Sequence, residues 1–191
     1  MGTPYANNAA TFLVGTLFGL YILIVMLRFL FQVVRADFYN DISQFVVKLT
    51  EPLLRPLRGF VPGLAGTDLS PVVLMLALKV LELWLTYRVI GHSANLTGLF
   101  VLSAGELLSL AINVFFFSIL IQVILSWVNP GAYNPVISIL YSLNEPLLGP
   151  ARRLIPPLGG LDLSPIAVII ALQLVSLLLV APITDMGRGL L

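Results

Sequence analysis

Long uncharged runs of residues are the feature that most constrains this chain. Residues 6–27, 107–128 and 163–183 contain no Asp, Glu, Lys or Arg. At about 1.5 Å per helical residue, each run can cross a hydrocarbon layer of about 30 Å. A fourth stretch, residues 71–90, is rich in Leu and Val. We therefore predict an all-α integral membrane protein with four transmembrane helices, at about residues 6–30, 70–90, 104–128 and 164–183.

The composition excludes several classes of function. Charged residues make up 10% of the chain, against about 25% in an ordinary soluble domain. The chain has no cysteine and one histidine, so thiolate and multi-histidine metal sites are excluded. It also has no phosphate-binding glycine loop and no nucleophile elbow. We expect no catalytic residues, no metal, no cofactor and no nucleic-acid partner.

A sequence duplication with a constant offset of 94 organises the chain. Residues 51–71 align without a gap to residues 145–165, and 13 of these 21 positions are identical. We predict two repeats, residues 1–94 and 95–191, with two spans each. Copies with an even number of spans enter the membrane in the same direction, which places a pseudo-two-fold axis along the membrane normal.

An amphipathic segment separates the two spans of each repeat, at about residues 40–55 and 134–149. Apolar residues recur there at helical spacing, in the first copy at Ile42, Phe45, Val46, Leu49 and Leu53, and in the second at Val136, Ile139, Leu140, Leu143 and Leu147. Such segments are too short to span, so we expect interfacial helices. In the second segment, Pro146 is expected to end or kink its helix.

Each repeat carries the pattern Glu-x6-Arg-x9-Asp. Paired carboxylates can serve acid–base catalysis. These acids stand beside Pro or Ser-Pro, however, so helix capping by the serine and a salt-bridge network are the simpler interpretation. The candidate partner-binding residues of this motif are Glu51, Pro52, Arg58, Asp68, Ser70, Pro71, Glu145, Pro146, Arg152, Arg153, Asp162, Ser164 and Pro165.

Polar residues also occur within the predicted spans. The intramembrane polar layer that we predict consists of Arg28, Lys79, Glu82, Gln122 and Gln173. One interpretation is structural: Lys79 pairs with Glu82, and the glutamines join helices by hydrogen bonds. The alternatives are a site near the pseudo-axis where Arg28 receives an anionic group, and snorkelling to the interface. Glu106 has the spacing of a capping box with Ser103, which predicts a helix start there.

Positive charges are concentrated in the two long connections. They hold six of the arginines and lysines that flank the spans, against two on the opposite side. By the positive-inside rule, both connections lie in the cytoplasm and both termini outside.

At these motifs the chain resembles the bacterial YggT family. The resemblance rests on Glu-Pro-Leu-Leu-x-Pro-x-Arg followed by Gly-x-Asp-Leu-Ser-Pro, present twice, and covers essentially the whole chain. It implies a small inner-membrane protein connected with osmotic tolerance, ion homeostasis or the cell envelope and division. Single-repeat plastid relatives act as assembly factors for haem attachment to a cytochrome b. Copy one departs from the pattern at Arg35, Ala36 and Asp41, and copy two at Gly149.

Two functions are compatible with these features. The first is a non-enzymatic assembly or scaffold factor that contacts the lipid bilayer and other membrane proteins. The alternative is an oligomeric ion or osmolyte transport element involved in osmotic stress tolerance, with the polar layer along its path. Four spans leave little room for a pore within a single chain, so transport would require a homo-oligomer.

Overall fold

The computed structural model describes residues 4–63, 66–128, 134–155 and 162–191, and its regular elements are helices. They are α1 Pro4–Val33, α2 Asp41–Leu57, α3 Ser70–Ile90, α4 Leu96–Val128, α5 Pro135–Leu154, α6 Ser164–Val175 and α7 Ala181–Gly189. A π-helical turn, Ser176–Val180, joins α6 to α7. The prediction of an all-helical chain is confirmed.

Three helical segments are long and apolar enough to cross a membrane: Tyr5–Val33, Leu96–Val128 and Ser164–Gly189. They correspond to the predicted first, third and fourth spans. The helix α3 is not among them, although it covers the predicted second span. That four helices cross the membrane therefore stays a prediction.

The start of α4 differs from the predicted one. The helix begins at Leu96, eight residues before the predicted position 104, because Asn95 caps it: the Asn95 side chain accepts a hydrogen bond of 3.1 Å from the Thr97 amide. Glu106 consequently lies inside the helix. The capping role that its spacing suggested is wrong.

Both amphipathic segments form helices with asparagine caps. The Asn40 side chain accepts from the Ile42 amide at 2.9 Å, and the Asn134 side chain accepts from the Ile137 amide at 2.9 Å. The prolines do not end these helices. Two prolines lie inside each of α2 and α5, since a proline removes a single backbone donor that flanking turns and tertiary contacts can outweigh.

The buried face of α2 differs from the predicted apolar stripe. The residues that pack inward are Ser43, Val46, Thr50 and Leu54. Phe45, Leu49 and Leu53 are 61%, 39% and 46% exposed. In α5, by contrast, the predicted residues Ile139, Leu140 and Leu143 are buried.

The main core joins the two repeats. Ile22, Val25 and Met26 of α1 pack with Met75 of α3 and, from the second repeat, Leu143 of α5. The Asn40 side-chain amide also donates to the Pro135 carbonyl at 2.9 Å, so the starts of α2 and α5 are tied directly.

The helices α4 and α7 approach closely through glycines. A Cβ atom added at Gly187 would lie 2.6 Å from the Leu102 backbone nitrogen. A Cβ atom at Gly105 would lie 2.6 Å from the Thr184 methyl group. Small residues at such positions let helix backbones come together, as they do in many membrane helix pairs.

Candidate functional site

The repeated motif forms an ion-pair cluster in each half of the molecule. We call each of these clusters a clamp. In the first clamp, Arg58 at the end of α2 donates to Glu51 at 2.7 Å and to Asp68 at 2.7 Å. Glu51 lies two turns back on α2, while Asp68 stands two residues before α3. The guanidinium therefore ties the end of the amphipathic helix to the beginning of the next helix.

The second clamp repeats this geometry 94 residues later. Arg152 donates to Glu145 at 2.9 Å and to Asp162 at 3.1 Å. The guanidinium uses Nη1 for the glutamate and Nε for the aspartate in both clamps. The predicted salt-bridge network is thus present twice with matching atoms.

The aspartates, and not the serines, cap the following helices. Asp68 accepts from the Ser70 amide at 2.9 Å, and Asp162 accepts from the Ser164 amide at 2.9 Å. The two serine hydroxyls are buried without a partner among the described residues. The expected serine caps are therefore wrong, because a carboxylate two residues earlier reaches the same amides and carries a full charge toward the helix N-terminus. The next residues, Pro71 and Pro165, occupy the first turn of their helices, where a missing backbone donor has no cost.

The clamps shift the pKa values of their aspartates. Partial burial by itself would raise the pKa of Asp68, but the hydrogen bonds from Arg58 and Ser70 outweigh it and hold that pKa below its ordinary value. The pKa of Asp162 is lowered in the same way by Ser164 and Arg152, against the opposing effect of burial. Both aspartates are therefore favoured as carboxylates in the folded protein.

This shift predicts a pH-dependent stability. We expect Asp68→Asn to lower the melting temperature of the protein in mild detergent near neutral pH. Because the pKa of Asp68 is lowered on folding, its carboxylate stabilises the fold fully above the unfolded pKa of about 3.9. That contribution is lost as the pH falls through the lower pKa of the folded state. The difference from wild type should thus shrink in acid, and a constant difference down to about pH 3 would contradict it. Asp185→Asn, at a mostly exposed position, is the control.

Arg28 is a residue at which the two repeats differ in charge and in hydrogen-bond partners. Its Nη2 donates to Glu51 at 3.2 Å, so Glu51 receives two guanidinium groups. The matching residue of the second repeat, Gln122, accepts from the Asn144 side chain at 2.7 Å instead. Asn144 in turn accepts from the Ser118 hydroxyl at 2.6 Å. Arg28 thus belongs to the first clamp, whereas Gln122 belongs to a buried neutral network.

Lys79 forms a third charged cluster, between α3 and α4. Its ammonium lies 3.0 Å from Glu82 and 2.8 Å from Glu106. The predicted pair between Lys79 and Glu82 is present. Sequence spacing could not identify Glu106 as a partner, because that contact depends on how α3 packs against α4.

The remaining candidates lie at the surface. Pro52 and Pro146 are exposed within their helices, and so is Arg153. Gln173 is exposed on α6, outside either cluster. The polar layer predicted from the sequence therefore consists of separate groups: Arg28 with a clamp, Gln122 in the interior, Lys79 with its glutamates and Gln173 at the surface.

Comparison with known proteins identifies the origin of this repeated architecture. The family model CCB3/YggT matches twice, over residues 7–89 and 101–183, with the same displacement of 94 as the clamps. An uncharacterized protein of Pseudomonas aeruginosa is 46% identical over 189 residues, which cover 96% of each chain. An uncharacterized protein of Vibrio alginolyticus is 40% identical, over 90% of this chain and 94% of its own length.

The protein YggT of Escherichia coli K12, also described as uncharacterized, is 33% identical over 89% of this chain and 88% of its own. No solved structure matches the chain. With two family segments that together cover most of its length, this chain belongs to the CCB3/YggT family.

Proposed function

We propose that this protein is a non-enzymatic assembly or scaffold factor for other membrane proteins of the bacterial inner membrane. Its spans are α1, α3, α4 and the continuous segment from α6 to α7. The α2 and α5 helices lie at the cytoplasmic interface, and both termini are outside. The proposal draws on the charge distribution, on the fold and on one surface feature, the exposed apolar stripe of α2.

That stripe carries the proposal. Phe45, Leu49 and Leu53 stand one turn apart along α2 and are exposed, although the same helix packs its other face into the core. Apolar stripes of this kind on an amphipathic helix bind either the membrane interface or a partner helix. Phe60, just beyond α2, is also 87% exposed.

The clamps give this stripe a fixed orientation. Arg58 joins the end of α2 to the start of α3, so the amphipathic helix is held at both ends, at Asn40 by its bond to Pro135 and at the clamp. A surface held rigidly in this way binds a partner with a smaller loss of conformational entropy. Such preorganisation suits docking, and a scaffold needs no reacting groups.

The charged residues of α3 are compatible with a membrane-spanning position of this helix, which would bring the number of spans to four. Lys79 is paired with Glu82 and Glu106, and the Lys79 and Glu82 side chains are 16% and 10% exposed. Ionisable residues within spans are tolerated when they face other helices and pair with one another. The Arg88 guanidinium lies 5.3 Å from the ring centre of Trp84, near the helix end where snorkelling to the interface is expected.

Affinity purification in mild detergent tests the scaffold function. We expect wild-type protein to retain specific membrane-protein partners that Phe45→Ser/Leu49→Ser loses, because the variant removes the apolar contact surface without touching the core. The partners are identified by mass spectrometry. Arg55→Ser, at an exposed position of the same helix away from the stripe, is the matched control and should retain them. If the double variant keeps every partner of the wild type, the α2 stripe is not the docking surface.

Transport remains a second candidate because of one observation. A cavity of about 300 Å³ is lined by Lys79, Glu106, Ser109 and Asn113, with Gly19 of α1 on the other wall. Arg28 and Gln122 line two other cavities, of about 150 and 640 Å³. These three cavities are separate, so they do not form a single path through the polar residues in the part of the chain that the structure describes. Ion flux into liposomes that is lost on Glu106→Gln would favour transport over the scaffold.

A further inference from the structure

A small cavity lies beside the last turns of α1 and the first turns of α2. Its volume is about 150 Å³, which is room for about five water molecules at roughly 30 Å³ each. The wall is apolar at Phe31, Val46 and Val47 and polar at Arg28, Gln32 and Ser43. The cavity is too small for a whole lipid but large enough for a single polar group.

Two buried donors of residues that line this cavity have no partner among the described residues: Arg28 Nη1 and Ser43 Oγ, each with less than 1 Å² of accessible surface. The Arg28 side chain is 14% exposed and Ser43 is 5% exposed. Arg28 uses only Nη2 for Glu51, at 3.2 Å, which is long for a charged hydrogen bond. A buried donor without an acceptor lowers the stability of the fold, and a charged donor lowers it most. These two donors therefore require an explanation.

The second repeat shows that the fold forms without these donors. Ninety-four residues later, Gln122 stands in place of Arg28, Ser126 in place of Gln32 and Ile137 in place of Ser43. Gln122 is satisfied within the protein by Asn144. The duplicated helices and clamp are thus built in the second repeat with an apolar residue and a neutral amide. These two donors have no counterpart in the second repeat, so the duplicated fold by itself does not explain them.

We propose that this cavity binds one phosphate group, toward which the Arg28 and Ser43 side chains rotate so that Nη1 and Oγ donate hydrogen bonds to it. Both unpaired atoms can donate, and one belongs to a guanidinium, whose planar fork suits phosphate oxygens. Glu51 does not repel an anion strongly here, because Arg28 and Arg58 both pair with it. The phosphate can belong to a lipid headgroup at the membrane interface or be free in solution, and the binding chemistry is the same.

Thermal melting of the delipidated full-length protein tests the proposal and separates the two sources. The probes are inorganic phosphate and a short-chain phosphatidylglycerol, each added to protein in mild detergent. A ligand that binds only the folded state raises the melting temperature. Stabilisation by both probes indicates a site open to free phosphate, and stabilisation by the lipid alone indicates a headgroup site. No stabilisation by either probe overturns the proposal and leaves water as the occupant.

Variants assign the effect to the cavity. Arg28→Gln, which introduces the residue found at position 122, should abolish the stabilisation. Ser43→Ala should weaken binding about tenfold, the loss expected for one hydrogen bond to a charged group. Arg55→Gln removes the same charge from an exposed position on α2 and should bind like wild type. If Arg28→Gln fails to fold, Ser43→Ala still decides, since wild-type affinity in that variant contradicts the assignment.

Discussion

Gly187→Ala should destabilise the protein by about 3 kcal/mol, the upper end of the usual cost of overpacking. The added Cβ would lie 2.6 Å from the backbone nitrogen of Leu102 and 2.7 Å from its Cα. These atoms belong to the main chain of α4 and cannot rotate away as a flexible side chain can. The helices α4 and α7 would have to separate, which also loosens the contact at Gly105.

The measurement is the melting temperature in mild detergent, which should fall by about 10 °C for a chain of this size. Gly189→Ala is the matched control in the same helix, because a Cβ at that position meets nothing within 4 Å. We expect the control to change the free energy of unfolding by less than about 0.5 kcal/mol. Equal melting temperatures for the two variants would show that α7 does not pack on α4 as described.

Lys79→Leu should have an effect of similar size for an electrostatic reason. It leaves the carboxylates of Glu82 and Glu106 together without the ammonium that now lies 3.0 and 2.8 Å from them. Removing one partner from a buried ion cluster costs about 3–5 kcal/mol. We expect the lower end of that range, about 3 kcal/mol, because the Glu106 side chain is 30% exposed.

The triple variant Lys79→Leu/Glu82→Leu/Glu106→Leu distinguishes the effect of unpaired carboxylates from the effect of altered packing around residue 79. Apolar replacement of a complete buried ion cluster is often neutral or stabilising. The triple variant should therefore recover most of the melting temperature that Lys79→Leu loses. A triple variant as unstable as the single one would show that packing around Lys79, and not charge, is responsible.

The sequence predicted the features that depend on local pattern and on duplication. Helix locations followed from apolar runs, and the Glu51–Arg58–Asp68 network followed from charges that recur near helix ends. The first residues of helices were predicted less reliably than the helix locations. The capping-box spacing at Ser103 competed with a true cap at Asn95, and nothing in the local sequence ranks one above the other inside a long apolar run.

Contacts between distant elements could not be predicted from spacing. The pairing of Lys79 with Glu106 requires the packing of α3 on α4, and the pairing of Arg28 with Glu51 requires that of α1 on α2. Which residues of α2 pack into the protein could likewise not be predicted from spacing. The helical pattern defines an apolar stripe, but the tertiary fold buries one member of it, Val46, together with Thr50 and Leu54 from the neighbouring face.

The π-helical turn Ser176–Val180 sets which side of the last helix meets α4. Its backbone bond from the Ala181 amide to the Ser176 carbonyl encloses one residue more than an α-helical turn does. One extra residue rotates every later side chain by about 100° relative to an uninterrupted helix. Gly187 faces Leu102 only with that rotation. A relative of the same length without this turn would therefore pack its final helix on α4 through a different face, whereas a relative one residue shorter with a regular helix would keep the same face.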